Sequence, residues 1–369
     1  MSFIGLIPRA GFDSLIDTLT EMGAECLGPT IQDGAIVYAP IDSSSDFPQG
    51  IHDQQSPGSY KLTTDNSPRW FAWANGPQAL KPLLFAPEEK LWQVERDATG
   101  HLEFKAHAPP KKVTAVIGVR ACDLAALALQ NKHFLDRSEP DPAYATRYQH
   151  LIVIAVNCTH PAATCFCHVT GDGPTASEHY DILLDELDEG FAVMIGSIKG
   201  KEIVDQLNLQ PITDTQVAAI DTAHNTARQQ FTRQLPQTDI PDLLFSQQES
   251  GQWHDIGERC LSCGNCTSVC PTCFCHHTIE EPALDGTHSE RWRQWNSCFS
   301  QRHSYIHGIT LRQETRFRYR QWLTHKFASW VSQYGRSGCV GCGRCITWCP
   351  VGIDVTEELQ RFAEDAGHA

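Results

Sequence analysis

Two cysteine strings with one spacing constrain this chain more than any other feature: Cys260-x-x-Cys263-x-x-Cys266-x-x-x-Cys270-Pro271 and Cys339-x-x-Cys342-x-x-Cys345-x-x-x-Cys349-Pro350. Three thiolates at three-residue steps line a tight loop that wraps an iron–sulfur cubane, and the fourth stands where the chain leaves it. When two such runs occur together, the fourth cysteine of each serves the other cluster. The pattern predicts two [4Fe–4S] clusters, one on Cys260, Cys263, Cys266 and Cys349, the other on Cys339, Cys342, Cys345 and Cys270. Pro271 and Pro350 keep the backbone from continuing as a straight helix. Gly264, Gly341 and Gly343 are expected to let backbone N–H groups approach the sulfurs.

Zinc and disulfides are the competing readings. Structural zinc sites pair two C-x-x-C knuckles across a long loop, so a third C-x-x step followed by C-x-x-x-C-P, twice over, fits zinc poorly. Met1 to Ala10 carries an early proline and arginine and no apolar core, so no secretory signal is expected. The longest wholly apolar runs, Leu124 to Leu129 and Leu151 to Val156, are too short to span a bilayer. The 16 cysteines are therefore expected to be reduced, metal-binding or redox thiols of a cytoplasmic protein.

The formal net charge of -15 argues against nucleic acid as a bulk partner. The charge is uneven: Arg291 to Arg336 holds nine basic residues against one acid, Glu314, while acids cluster from Asp172 to Glu189. The basic stretch is read first as a solvated helix face, and otherwise as a docking surface for an acidic protein partner or as compensation for the clusters' negative charge.

The 369 residues suffice for two or three domains. The first part reads as mixed α/β. Phe12 to Met22 has helical periodicity, and Ala35 to Ala39 and Leu91 to Val94 are short strand candidates. Val113 to Val119, Asp123 to Leu135 and Leu151 to Val156 form a strand–helix–strand crossover, which predicts parallel strands. Thr213 to Leu235 reads as helix plus linker, and the boundary is drawn at Pro236 to Pro241, giving an α/β domain over 1–238 and an α-helical dicluster domain over 239–369. The helical reading of the second rests on a long segment from about Ser304 to Tyr334, whose Trp322, Phe327 and Trp330 are expected to form the seam between the cluster loops.

Cys122 and Cys158 fall just past the two parallel strands, at the carboxyl edge where open sheets place their ligands, and Cys165 and Cys167 follow in the same loop. This convergence predicts a third iron–sulfur cluster on Cys122, Cys158, Cys165 and Cys167; buried structural thiols or a zinc tetrathiolate are the alternatives. A second Thr-Cys-Phe-Cys at Thr272 to Cys275, with Cys298, supplies the further candidate ligands Cys273, Cys275 and Cys298, which need help from His276, His277 or another cysteine. Cys26 is isolated and read as structural.

Four strings, Gly118 to Leu127, Asn157 to Cys167, Trp292 to Cys298 and Gly338 to Asp354, resemble the beta subunit of cytoplasmic sulfhydrogenase and the electron-transfer subunit of anaerobic sulfite reductase. The likeness runs from about Val113 to the C-terminus, with Ala121 where a proline is expected. The resemblance implies an iron–sulfur electron-transfer subunit beside a flavin subunit that oxidises NAD(P)H and a terminal catalytic subunit carrying nickel–iron or sirohaem. Such a relay needs no acid, base or nucleophile of its own. The alternatives are a self-contained flavin- or NAD-binding oxidoreductase, and a cluster-carrying redox sensor or scaffold. The former is disfavoured by Val119-Arg120-Ala121-Cys122-Asp123, which lacks the glycine-rich turn of dinucleotide sites.

Overall fold

The computed structural model describes residues 3–97 and 99–367; Met1 and Ser2, the first two residues of the segment read for a secretory signal, lie outside it, as do Ala98, His368 and Ala369. A seven-stranded sheet organises the first part, in the order Gly5–Pro8, Gly190–Ile195, Ile182–Glu186, Leu151–Val156, Thr114–Val119, Glu25–Gln32 and Ala35–Pro40. The four central strands run parallel, and antiparallel partners close both edges. Thr114–Val119 and Leu151–Val156 are almost wholly buried, as parallel strands covered on both faces must be, which is why each reads as an unbroken apolar run. The helix Ala121–Phe134 crosses between them. Ala121 occupies its first position, where proline would also fit, so the turn forms without one.

The segment after Pro236 packs helices around both cysteine runs. Its core gathers Leu243, Leu244, Trp253, Ile256, Trp322, Phe327, Leu359 and Phe362, and Phe166 of the first part belongs to the same cluster. The expected helix from Ser304 starts later. Tyr305–Ile306 and Ile309–Thr310 pair across a turn in which His307 and Gly308 take positive φ (48° and 89°), and the helix begins at Thr315. It continues through a π-helical turn at His325–Ser329 into Trp330–Tyr334. Such a turn inserts one extra residue and re-aims its side chains. Here it carries Lys326 into the interior.

A hairpin that the sequence reading did not anticipate follows the first cysteine run. His276–Pro282 pairs with His288–Trp295, which pairs in turn with Glu88–Arg96, making a four-stranded sheet shared by both parts of the chain. Arg293, at 4% exposure, joins Asp141 and Glu89 across this seam.

A second bridge is tighter. The Arg344 guanidinium, inside the second cysteine run, grips Asp123 through two bonds of 2.6 and 3.0 Å, both side chains at 1% exposure. It also donates to the carbonyls of Gly76 and Gln78. Removing one partner strands a buried charge, so Asp123→Asn is expected to lower stability by about 3–5 kcal/mol. Denaturant unfolding checks this; a loss under about 1 kcal/mol would show that the bridge is not structural.

Candidate metal centre

The two cysteine runs fold alike. Each begins with a loop in which the third and fifth positions take the left-handed conformation: Ser262 (φ 55°) and Gly264 (φ 80°) in the first, Gly341 (φ 63°) and Gly343 (φ 75°) in the second. Each then enters a single helical turn, Asn265–Ser268 or Arg344–Thr347. The curled loops turn backbone donors onto sulfur: Ser262 N–H to Cys260 Sγ at 3.4 Å, Gly341 N–H to Cys339 Sγ at 3.4 Å, and Ile353 N–H to Cys349 Sγ at 3.3 Å. Of the three glycines expected to bring N–H groups near sulfur, Gly341 does so. Gly264 and Gly343 instead supply the positive φ that opens each helical turn. Gly343 also allows close approach, since a Cβ there would meet the Thr164 carbonyl oxygen at 2.5 Å.

Two cavities lie beneath these loops. The first, about 410 Å³, is lined by Cys260, Cys263 and Cys266 together with Cys349. The second, about 370 Å³, is lined by Cys339, Cys342 and Cys345 together with Cys270. Trp322 forms part of the wall of both. The first opens outward, with Cys263 exposed beside exposed Leu261 and Val351; Cys339 and Cys342 of the second are buried.

The surroundings suit anionic, thiolate-ligated clusters. The Tyr319 hydroxyl and Trp322 Nε1 are buried without an acceptor, and both residues line the first cavity. Such orphaned donors are otherwise costly, and cluster sulfur would accept from them. Lys326 reaches the second cavity, where its ammonium lies 3.4 Å from Cys270 Sγ and 2.7 Å from Thr272 Oγ1. Arg318, at 6% exposure, donates to Ser262 Oγ at 3.2 Å in the first loop and otherwise to carbonyls. Burial pushes the Cys339 thiol up to about 12, and the Cys266 and Cys345 thiols higher still, with neighbouring cysteines adding to the push. Thiols so disposed give up their protons when a metal takes their place. The basic stretch is thus only partly a solvated face, because Arg293, Arg318 and Lys326 are interior.

In the sheet crevice Cys122, Cys165 and Cys167 are buried and Cys158 partly exposed. Cys165 Sγ lies 3.8 Å from the Asn75 amide nitrogen and 3.7 Å from the Cys342 carbonyl, so the crevice adjoins the second cavity. Cys273, Cys275 and Cys298 line a separate cavity between hairpin and helix. Cys26 packs at 4% exposure in the sheet core, near Ile16 and Thr20. The sequence reading missed the role of Lys81 and did not single out Lys326 from its charge run; both are buried against the cysteine loops. The lysine within apolar Ala79-Leu80-Lys81-Pro82-Leu83-Leu84 was a faint sign of this.

Among the described residues no helix is long and apolar enough to cross a membrane. Residues 259–353 match the family model of the 4Fe-4S dicluster domain. No solved structure matches the chain. Sulfhydrogenase 2 subunit beta of Pyrococcus furiosus is 30% identical over 289 residues, which cover 77% of this chain and 82% of that protein. The chain therefore belongs to the family of sulfhydrogenase beta subunits and is an iron–sulfur electron-transfer subunit.

Proposed function

We propose that the chain relays single electrons between a flavin subunit that oxidises NAD(P)H and a terminal catalytic subunit of the nickel–iron hydrogenase or sirohaem sulfite reductase type, in the cytoplasm. It would do so through two [4Fe–4S] clusters, one on Cys260, Cys263, Cys266 and Cys349 and one on Cys339, Cys342, Cys345 and Cys270, in line with its two domains at 1–238 and 239–369. The carrying observation is that each cavity joins three thiols of one run to the last thiol of the other, with Trp322 between them. The clusters supply the one-electron chemistry. The protein's own residues hold the thiolates, exclude water and set the local charge. The outward-facing first cavity, rimmed by Leu261 and Val351, suits exchange with a docked partner, and the buried second suits internal transfer.

A self-contained flavin or nicotinamide enzyme fits less well. At the sheet's carboxyl edge the Arg120 side chain fills the crevice, donating to the carbonyls of Phe71 and Trp73 at 2.8 and 2.6 Å and stacking on the Trp73 ring. That arrangement leaves no glycine-lined cradle for a pyrophosphate. The same Arg120 favours a metal site on Cys122, Cys158, Cys165 and Cys167, since it is a cation at 1% exposure with an unpartnered Nε and its charge acts on Cys158.

The isolated chain, supplied with NADPH and an artificial acceptor, is expected to show no turnover, and its clusters should be reduced only after the flavin partner is added. Turnover by the chain alone would overturn the relay.

A further inference from the structure

A third cavity resembles the two above in size. It measures about 340 Å³ and is lined by Cys273, Cys275 and Cys298 with Trp322, Trp330 and Lys326. The sulfurs of Cys275 and Cys298 and a ring nitrogen of His303 all lie within 4.8 Å of one another. The fold brings them together through the hairpin: Cys275 leads into His276–Pro282, and Cys298 follows the return strand His288–Trp295. The Cys275 carbonyl accepts from Asn296 N–H at 2.8 Å, which fixes the two ends of the hairpin side by side.

The charge around this cavity lacks an explanation without an anion. Lys81 is 6% exposed and Lys326 5%. Among the described residues, Lys81 donates to the carbonyls of Thr267 and Ser268 at 3.2 and 2.9 Å and covers the Trp295 ring. Lys326 donates to Thr272 Oγ1, the Gly338 carbonyl and Cys270 Sγ. Neither ammonium meets a carboxylate, and an unpaired buried charge is strongly unfavourable. Negative charge in the second cavity answers Lys326. Lys81 faces the same corner from the other side, where its charge acts on Cys273 and Cys275 as well as Cys270. The Trp330 Nε1 adds a buried donor with no acceptor.

We propose that this cavity holds a third iron–sulfur cubane, ligated by the thiolates of Cys273, Cys275 and Cys298 and by the imidazole of His303. Three thiolates and a neutral imidazole leave the cluster one charge less negative than four thiolates, which favours its reduced form and raises its potential, as imidazole ligation does in other iron–sulfur centres. A single tetrahedral zinc ion is the competing occupant, because it needs the same donors. The size of the cavity, close to that of the other two, favours the cluster.

The test compares the full-length chain, purified without air, with its C273S/C275S/C298S variant for iron, acid-labile sulfide and zinc. The variant should lose about four iron and about four sulfide per chain while the paramagnetic signals of the other clusters survive. Unchanged iron, or a loss of zinc alone, overturns the proposal and leaves the two-cluster relay standing. His303→Cys guards against a loss caused by misfolding: it should retain all iron and move the midpoint potential of one cluster downward. Full iron with no potential moved would remove His303 from the ligand set and overturn the proposal as stated.

Discussion

Replacing Cys349 with serine is expected to damage the cluster of the other run. Cys349 follows Cys339, Cys342 and Cys345 in sequence, yet its side chain lines the cavity of Cys260, Cys263 and Cys266. Serine ligates iron weakly, so that cluster should lose its fourth iron or the whole cubane, a deficit of about one to four iron per chain. Cys270→Ser is the mirror experiment and should strike the cluster of Cys339, Cys342 and Cys345. Paramagnetic resonance of the reduced variants distinguishes the two. If each serine erased the signal of its own run, the crosswise assignment would be wrong.

Lys326→Met should lower the reduction potential of the second cluster on the order of 100 mV. The ammonium lies 3.4 Å from Cys270 Sγ, buried, and reduction adds a negative charge that it stabilises. At an effective dielectric of about 20, a unit charge a few ångströms away contributes roughly 2–4 kcal/mol, and 1.4 kcal/mol corresponds to about 59 mV for one electron. The sign follows directly, since removing the cation penalises the reduced state and the potential falls. The first cluster should move far less. A redox titration followed by paramagnetic resonance measures both, and an unmoved second potential would show that Lys326 is a structural donor only. Its bonds to Thr272 and Gly338 are lost in the same variant, which costs about 1–3 kcal/mol of stability and leaves the expected potential difference between the clusters intact.

What the sequence made legible follows from local rules. The parallel pair Thr114–Val119 and Leu151–Val156 could be read because strands buried on both faces are unbroken apolar runs, and the helix between them because it is rich in alanine and leucine. The hairpin His276–Trp295 could not be read, because it carries charged residues at many positions and owes its stability to Glu88–Arg96, far away in the chain. The late start of the helix at Thr315 turned on one turn at His307–Gly308 inside a segment otherwise of helical composition.

The candidate site divides in the same way. Spacing alone announced eight of the thiols, because three-residue steps have few other uses. It said nothing of Lys81, Trp322 or Tyr319, whose part depends on tertiary burial and on unpaired donors facing a cavity. Lys326 was visible only as one charge in a basic stretch; the π-helical turn that brings it inward is set by packing. Thr272-Cys273-Phe274-Cys275 and Thr164-Cys165-Phe166-Cys167 looked like one motif twice. Both abut the second cysteine loop: Thr272 Oγ1 donates to the Gly338 carbonyl, and Phe166 N–H donates to the Gly341 carbonyl.

The most direct test of the account is the iron and acid-labile sulfide content of the chain purified without air, read with the paramagnetic resonance of its reduced form. The account predicts at least about eight iron and about eight sulfide per chain, with the spins of two neighbouring clusters broadening one another. Colourless protein, or protein loaded with zinc and free of labile sulfide, would contradict it.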